Sequence, residues 1–342
     1  MSDKSDKIEV LITLPFADEL VDIIRAISPR LNLSLSKAKK PEDIPAEQWQ
    51  KIHVLYTHRI LPSPEAAPNL RWVQLHWAGV DHALDAPLLT RDDILVTTMS
   101  GVVSTKVAEY VVLMLLSLGH RFLDLLASQR KGEWPKDRWE RFSPRELRDA
   151  VVGIVGYGSI GRQTARLLAP FGARVLATKR DAMHPEEVDY CPEGFGDPKG
   201  DYVHRLYPAQ ALRSMLRECD FVVVTVPLTP YTKDLIGEEE FAVMKPNAFL
   251  VLVSRGGVVN FPALVSVLKD RRLAGAALDV FPEEPLPVDH PLWKLPNVII
   301  TPHISGDTPY YDMRAMELFI ENLKRFVNGQ PLLNRFLPEL GY

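Results

Sequence analysis

The segment VVGIVGYGSIGRQTARLLAPFG, residues 151–172, constrains the fold of this chain more than any other. An apolar run ends in Gly156-x-Gly158-x-x-Gly161, and an amphipathic stretch follows at once. Glycines at these positions permit a tight turn, close approach of backbone to a bound group, and close packing of helix on strand. The pattern predicts a strand, a turn and a helix whose positive N-terminus faces an anion, the arrangement that cradles a pyrophosphate. One such motif alone is weak. Here Ala165 within the helix, Gly172 at its end and the next apolar run, ARVLATKR (173–180), fall where a dinucleotide-binding βαβ unit needs them. Gly156, Gly158, Ser159, Ile160 and Gly161 are the expected phosphate-side contacts.

Further apolar runs follow: FVVVTVP (221–227), AFLVLVS (248–254), AGAALDV (274–280) and NVIITPH (297–303). Strands this uniformly apolar belong in a parallel sheet covered on both faces. Upstream, KIEVLITL (7–14), KIHVLYTH (51–58), LRWVQLHW (70–77) and ILVTTM (94–99) read as strands, and ADELVDIIRAIS (17–28) as a helix. No glycine fingerprint follows the first of these strands, so this region is not expected to hold a dinucleotide. From Thr105 to about Gln129 one long segment is apolar enough for burial on more than one face. A last helix, 313–328, returns most economically to the first region. The expected organisation is a discontinuous domain, 1–104 with 308–342, and a dinucleotide-binding domain, 105–307. Both are of α/β class with doubly wound parallel sheets. Residues 181–207 lack regular pattern and read as a surface insertion, a loop with a short hairpin.

Composition excludes several functions. Hydrophobic content of 46% and charged content of 25% in 342 residues are ordinary for a globular protein of two domains. A net charge of −4 gives no polyanion footprint, so neither nucleic acid nor a membrane is an expected partner. The start, MSDKSDKIEVLITL, lacks a basic region and cleavage site, and Tyr110 to Leu118 is far short of the roughly 20 apolar residues that span a bilayer. A cytoplasmic protein is expected. Cys191 and Cys219 show no metal-like spacing, and reduced thiols and no metal site are the simplest reading.

The end of the 173–180 run bears on the cofactor. An NAD site usually offers an acid there to the ribose hydroxyls, but this chain has Thr178, Lys179 and Arg180. A carboxylate would repel a 2′-phosphate, whereas a Lys–Arg pair attracts one. This favours NADP(H) over NAD(H). The alternative is that both cations are solvated and Asp181 turns back to the ribose.

The last third supplies Arg255, Asp279, Glu284 and His303 from VLVSRGGVVN, GAALDVFPEEPLP and NVIITPHISG. The planar fork of Arg255 suits bidentate binding of the carboxylate and keto oxygen of a 2-keto acid. His303 can give and take a proton near neutral pH, and Glu284 would hydrogen-bond it and fix its tautomer. Pro227, Val253 and Ser254 lie at the carboxyl ends of strands, where α/β sheets place their ligands.

YGSIG, DFVVVTVPLTPYT, MKPNAFLVLVSRGGVVN, GAALDVFPEEPLP and LPNVIITPH occur in an order and spacing that resemble the D-isomer-specific 2-hydroxyacid dehydrogenases. The likeness is strongest to the glyoxylate/hydroxypyruvate reductase branch, partly through Lys179 and Arg180. It implies a flavodoxin-like substrate domain beside a Rossmann domain, and hydride transfer between a nicotinamide and a small 2-keto acid such as glyoxylate or hydroxypyruvate. It places Asp279 near the nicotinamide carboxamide, as a cofactor ligand. HWAGVDH (76–82) resembles the family's substrate loop, in which the amides of Ala78, Gly79 and Val80 would hold the carboxylate. It also implies a homodimer formed in part by the 110–129 helix, with Trp139 packing at the interface. Other dehydrogenases of the family, of D-lactate or phosphite type, are alternatives, as is a dinucleotide-sensing binding protein resembling its corepressors. The carboxylate of Glu284 argues against formate dehydrogenase, which has an amide there. Leu252, Asn260-Phe261 and the long 187–207 segment depart from the family pattern and weaken any transfer of substrate identity.

Overall fold

The structure, a computed structural model, describes residues 7–80, 83, 86–338 and 340–341. The chain divides into two compact units, Met1–Val102 with Pro309–Tyr342, and Val103–Thr308. The first holds β1 (Ile8–Ile12), α1 (Asp18–Arg25), β2 (Leu31–Leu35), α2 (Ala46–Lys51), β3 (Val54–Thr57), β4 (Trp72–Leu75) and β5 (Leu95–Thr97). These strands pair in parallel in the order β2-β1-β3-β4-β5, the flavodoxin-like order. Register aligns Val10 with Val54 and Val54 with Trp72, so apolar side chains stack across the sheet. Strand β2 was not anticipated: LNLSL is a partly exposed edge strand and lacks the apolar run of a central one.

The second unit opens with α3 (Ser104–Gly119), α4 (Phe122–Lys131) and α5 (Arg138–Arg141). The single segment expected over 105–129 is thus two helices, bent by 62°. The break falls at Arg121, whose φ is +51°, and the Gly119 carbonyl beside it accepts from Arg145 N at 2.8 Å. Among the described residues no single helix is long and apolar enough to cross a membrane. Then follow β6 (Val151–Val155), α6 (Ser159–Leu168), β7 (Arg174–Lys179), β8 (Arg205–Pro208), α7 (Leu212–Leu216), β9 (Phe221–Val224), α8 (Glu238–Val243), β10 (Phe249–Leu252), α9 (Phe261–Lys269), β11 (Gly275–Leu278) and β12 (Val298–Ile300). The sheet order is β12-β11-β10-β9-β6-β7-β8, all parallel. Strand order reverses beside β6, which creates the crevice where doubly wound sheets bind ligands.

Both faces of this sheet are covered. Val111, Leu115 and Leu118 of α3 pack with Val152, Ile154 and Val223 on one face. Leu264 and Leu268 of α9 pack with Val222, Leu250 and Leu278 on the other. The hairpin expected within 181–207 does not form. Strand β8 instead joins β7 in parallel, and residues 180–204 between them are long enough for the crossover that parallel pairing requires. Nor is the insertion wholly superficial, since Asp197 within it is buried. The last helix, α10 (Tyr311–Val327), belongs to the first unit, where the Phe319 ring lies 4.5 Å from Tyr56 and 5.4 Å from Trp72.

Candidate active site

The glycine turn between β6 and α6 is built tightly. Gly156 adopts φ +105°, its N–H donates to Thr178 Oγ1 at 3.1 Å, and its carbonyl accepts from Thr225 Oγ1 at 2.7 Å. A Cβ on Gly161 would lie 2.3 Å from that carbonyl oxygen, so the helix reaches the strand only because residue 161 has no side chain. Around Gly158, the N-cap of α6, the space is open, and the first turn of the helix carries no acidic residue. At the carboxyl end of β10 the Ser254 hydroxyl is buried without a hydrogen-bond partner. An open cradle at a helix N-terminus and an unsatisfied hydroxyl at a neighbouring strand end fit a dinucleotide. Val253 is buried beside Ser254, and Pro227, at the end of the β9 run, accepts from Thr232 Oγ1 through its carbonyl at 2.6 Å.

Arg255 follows β10, half-buried, with Nη1 donating to its neighbour's carbonyl, Ser254 O, at 2.9 Å. Next to it a Cβ on Gly256 would stand 2.0 Å from the Phe281 carbonyl carbon. Only glycine lets the loop after β10 press against the loop after β11, and the latter carries Glu284. Glu284 Oε1 accepts from Phe281 N at 2.9 Å, and Oε2 lies 2.8 Å from His303 Nδ1. The carboxylate is thereby fixed at both oxygens, and it assigns the Nδ1 proton of the imidazole, leaving Nε2 for exchange with a substrate.

His303 itself sits at φ +53°, a left-handed conformation uncommon outside glycine. Its surroundings hold it there. His303 N donates to Asp279 O at 2.9 Å; Ile304 N and Ser305 N donate to the Asp279 carboxylate at 2.9 Å each, and Thr301 Oγ1 donates to it at 2.6 Å. Tyr110 OH completes the chain at 2.6 Å from Thr301 Oγ1, and burial pushes its phenol up to about 12, so it stays a neutral donor. Asp279 thus shapes the turn from which His303 projects. Its side chain is fully buried, and both oxygens accept from the 301–305 turn.

The basic pair also separates. Lys179 Nζ donates to the carbonyls of His184 and Glu186, whereas Arg180 lies beyond β7 and is exposed. Ala78, Gly79 and Val80 lie in the first unit, after β4. Their loop is anchored at His76, whose N–H donates to Thr57 O at 2.9 Å and whose carbonyl accepts from Tyr311 OH at 2.6 Å. Burial lowers His76 to about 4 despite Asp312 Oδ1 standing 3.5 Å from Nε2. Trp139, on α5, is exposed, with the Arg138 guanidinium 4.8 Å from its ring centroid.

Sequence reasoning missed the supports Thr301 and Tyr110, which stand 191 residues apart in the chain. It also missed Tyr157 and Arg162, which contact the 183–202 segment; an arginine in the first turn of a fingerprint helix was the available signal.

Residues 112–305 match the family described as D-isomer specific 2-hydroxyacid dehydrogenase, NAD binding domain. A glyoxylate reductase of Thermofilum pendens is 36% identical over 268 residues, 78% of this chain and 74% of that protein. A D-isomer specific 2-hydroxyacid dehydrogenase from Xanthobacter autotrophicus, solved with NADPH and MES, superposes with a TM-score of 0.80 at 27% identity, covering 99% of this chain and 100% of that one. An NADPH-dependent glyoxylate/hydroxypyruvate reductase from Sinorhizobium meliloti, solved with NADP and sulfate, gives a TM-score of 0.74 at 28% identity over 98% of this chain and 100% of the other. With the glycine cradle and the Arg255, Glu284 and His303 loops on one sheet, these likenesses place the chain in the D-isomer specific 2-hydroxyacid dehydrogenase family of NAD(P)-dependent oxidoreductases acting on CH–OH groups.

Proposed function

We propose that this enzyme reduces small 2-keto acids, glyoxylate or hydroxypyruvate foremost, with NADPH preferred over NADH. The observation that carries the reading is the 2.8 Å pair between His303 Nδ1 and Glu284 Oε2, set by a loop that Gly256 packs beside Arg255. Arg255 binds the carboxylate and the keto oxygen, and holds negative charge as it develops on that oxygen. His303 delivers the proton through Nε2, and Glu284 stabilises the charged imidazolium and its orientation. Asp279 keeps the 301–305 turn, and so His303, in register with Glu284. The cradle of Gly156, Gly158, Ser159, Ile160 and Gly161 holds the pyrophosphate, with Pro227, Val253 and Ser254 on the nicotinamide side. When bound, the nicotinamide supplies the hydride. The amides of Ala78, Gly79 and Val80 contribute to carboxylate binding. Cofactor preference rests on the cations at the end of β7, and on relatives solved with NADPH and NADP. Exposed Leu113, Phe122 and Leu125 on α3 and α4 support a homodimer, with Trp139 near its interface. A cytoplasmic location is consistent with the sequence.

A spectrophotometric panel of glyoxylate, hydroxypyruvate and pyruvate with NADPH and NADH tests this reading. The expected result is fastest turnover of glyoxylate or hydroxypyruvate with NADPH. Preference for pyruvate would favour the D-lactate reading. Binding of the dinucleotide with no turnover of any keto acid would favour a sensing protein.

A further inference from the structure

In the first unit the chain enters residues 78–80 through His76 and Trp77, whose backbone is fixed at three points. His76 N donates to Thr57 O at 2.9 Å, at the end of β3, and Trp77 O accepts from Met99 N at 3.2 Å, just past β5. These two bonds join backbone to backbone and do not depend on side-chain identity. The third does. Tyr311 OH, on the first residue of α10, donates to His76 O at 2.6 Å. A peptide group is planar, so a hold on the His76 oxygen fixes the plane of the 76–77 unit and the direction in which the chain leaves it. The N–H groups of Ala78, Gly79 and Val80 follow, and among the described residues no backbone carbonyl accepts from them. Successive amides left open by the main chain suit an anion.

The ring of Tyr311 packs on the same two residues, with its centroid 4.9 Å from Trp77 and 5.1 Å from His76. The His58 ring lies 5.2 Å from Trp77. Trp77 is 39% exposed, yet these rings hold it beside the loop at the spacings of packed aromatic pairs. Phenylalanine would serve that packing equally; only the carbonyl needs the hydroxyl. Burial pushes the Tyr311 phenol well above its ordinary range, so it stays a neutral donor. The imidazole of His76 is held separately, with Nδ1 3.0 Å from Tyr56 OH and Nε2 3.5 Å from Asp312 Oδ1. The carboxylate favours a proton on Nε2, which leaves Nδ1 to accept from Tyr56. Ring and carbonyl of one residue therefore rest on different tyrosines, and substitution can separate them.

We propose that Tyr311 is a positioning residue for substrate binding: its hydroxyl holds the His76 carbonyl and so aims the amides of Ala78, Gly79 and Val80 at the carboxylate of the 2-keto acid. This rests on the keto-acid reading above and adds to it the side chain that sets the loop.

The test is steady-state kinetics of Tyr311→Phe with glyoxylate and hydroxypyruvate at saturating NADPH, with hydrogen exchange of the His76 and Met99 amides as a second readout. KM for both acids should rise ~5–10-fold, the worth of one neutral hydrogen bond. The kcat and the NADPH affinity should not change, the pattern of an interaction made equally in ground and transition states. Exchange at the two amides should quicken at least ~5-fold as the loop entry opens locally. Tyr56→Phe, which releases the imidazole and leaves the carbonyl held, should lower thermal stability with KM unchanged. An unaltered KM in Tyr311→Phe overturns the proposal, whatever the exchange rates, as does a fall in kcat at constant KM. An equal rise of KM in Tyr56→Phe also overturns it, since the effect would then belong to the aromatic cluster as a whole. If the unsubstituted protein turns over neither acid, the keto-acid reading fails. The hold of Tyr311 on the loop then stands or falls on the exchange rates.

Discussion

The helix after β1 and the helix after β6 occupy equivalent places in two parallel sheets and start on opposite electrostatic terms. Helix α1 begins with Asp18 and Glu19, acids that occupy the positive end of the helix dipole. Helix α6 begins with Ser159, Ile160 and Gly161, no acid, and open space at its N-cap Gly158. The first helix completes its own N-terminus, whereas the second leaves it to a ligand's negative charge. The same βαβ logic thus yields a structural layer in one unit and an anion cradle in the other, decided by a few residues in one turn. At the other strand ends of the second unit the contrast continues: buried Asp279 shapes a turn, and that turn presents His303.

The largest effect should come from removing the presented group. His303→Ala is expected to lower kcat by ~10²-fold or more, with nucleotide binding retained, as for loss of a general acid. Steady-state kinetics decide it, and near-normal turnover would take the chemistry away from this strand end.

Acid should then single out the first unit. Burial holds His76 at about 4 in the folded protein against 6.5 for the ordinary group. A depressed histidine contributes stability that is complete above about pH 6.5 and is lost as pH falls towards about 4, amounting to about 3 kcal/mol. Denaturant unfolding across that window, followed with His76→Gln, should show a shallower pH slope in the variant. An unchanged slope would move the acid sensitivity elsewhere.

Gly161→Ala probes the cradle geometry. Its Cβ must displace the Gly156 carbonyl, at a cost of ~1–3 kcal/mol typical of overpacking, and dinucleotide affinity should fall with it. Equal affinity by calorimetry would mean that helix–strand spacing is not what builds the site.

The smallest effects come from exchanging the two electrostatic starts. Asp18→Ser should cost only ~0.5 kcal/mol of stability, while Ser159→Asp should add a similar helix-dipole gain yet weaken dinucleotide binding. If Ser159→Asp left binding intact, the comparison between α1 and α6 would lose its point.

Much of this was legible beforehand because it is local. The apolar runs around 151–155, 221–224 and 249–252 announce buried parallel strands, and the glycine spacing announces the turn between β6 and α6. Arg255, Glu284 and His303 stood out as candidates because each follows an apolar run, three, six and three residues past the ends of β10, β11 and β12. What escaped was set by partners far off in the chain. Strand β2 exists because β1 offers it an edge. The 105–129 segment breaks at Arg121, where Arg145 docks on the carbonyl of Gly119. The hairpin read into 181–207 gave way to a segment packed on the buried Arg162 guanidinium, whose acceptors lie 23 to 35 residues away.

By itself the sequence determined the fold class and the glycine turn between β6 and α6, since periodicity and glycine spacing act over a few residues. Tertiary structure alone decided what those side chains touch. It turned Asp279 inward to hold the His303 turn and tied Lys179 to the insertion. A carboxylate or ammonium takes its role from the donors and acceptors that folding brings within 3 Å or so, which for Lys179 lie five and seven residues away and for Asp279 22 to 26.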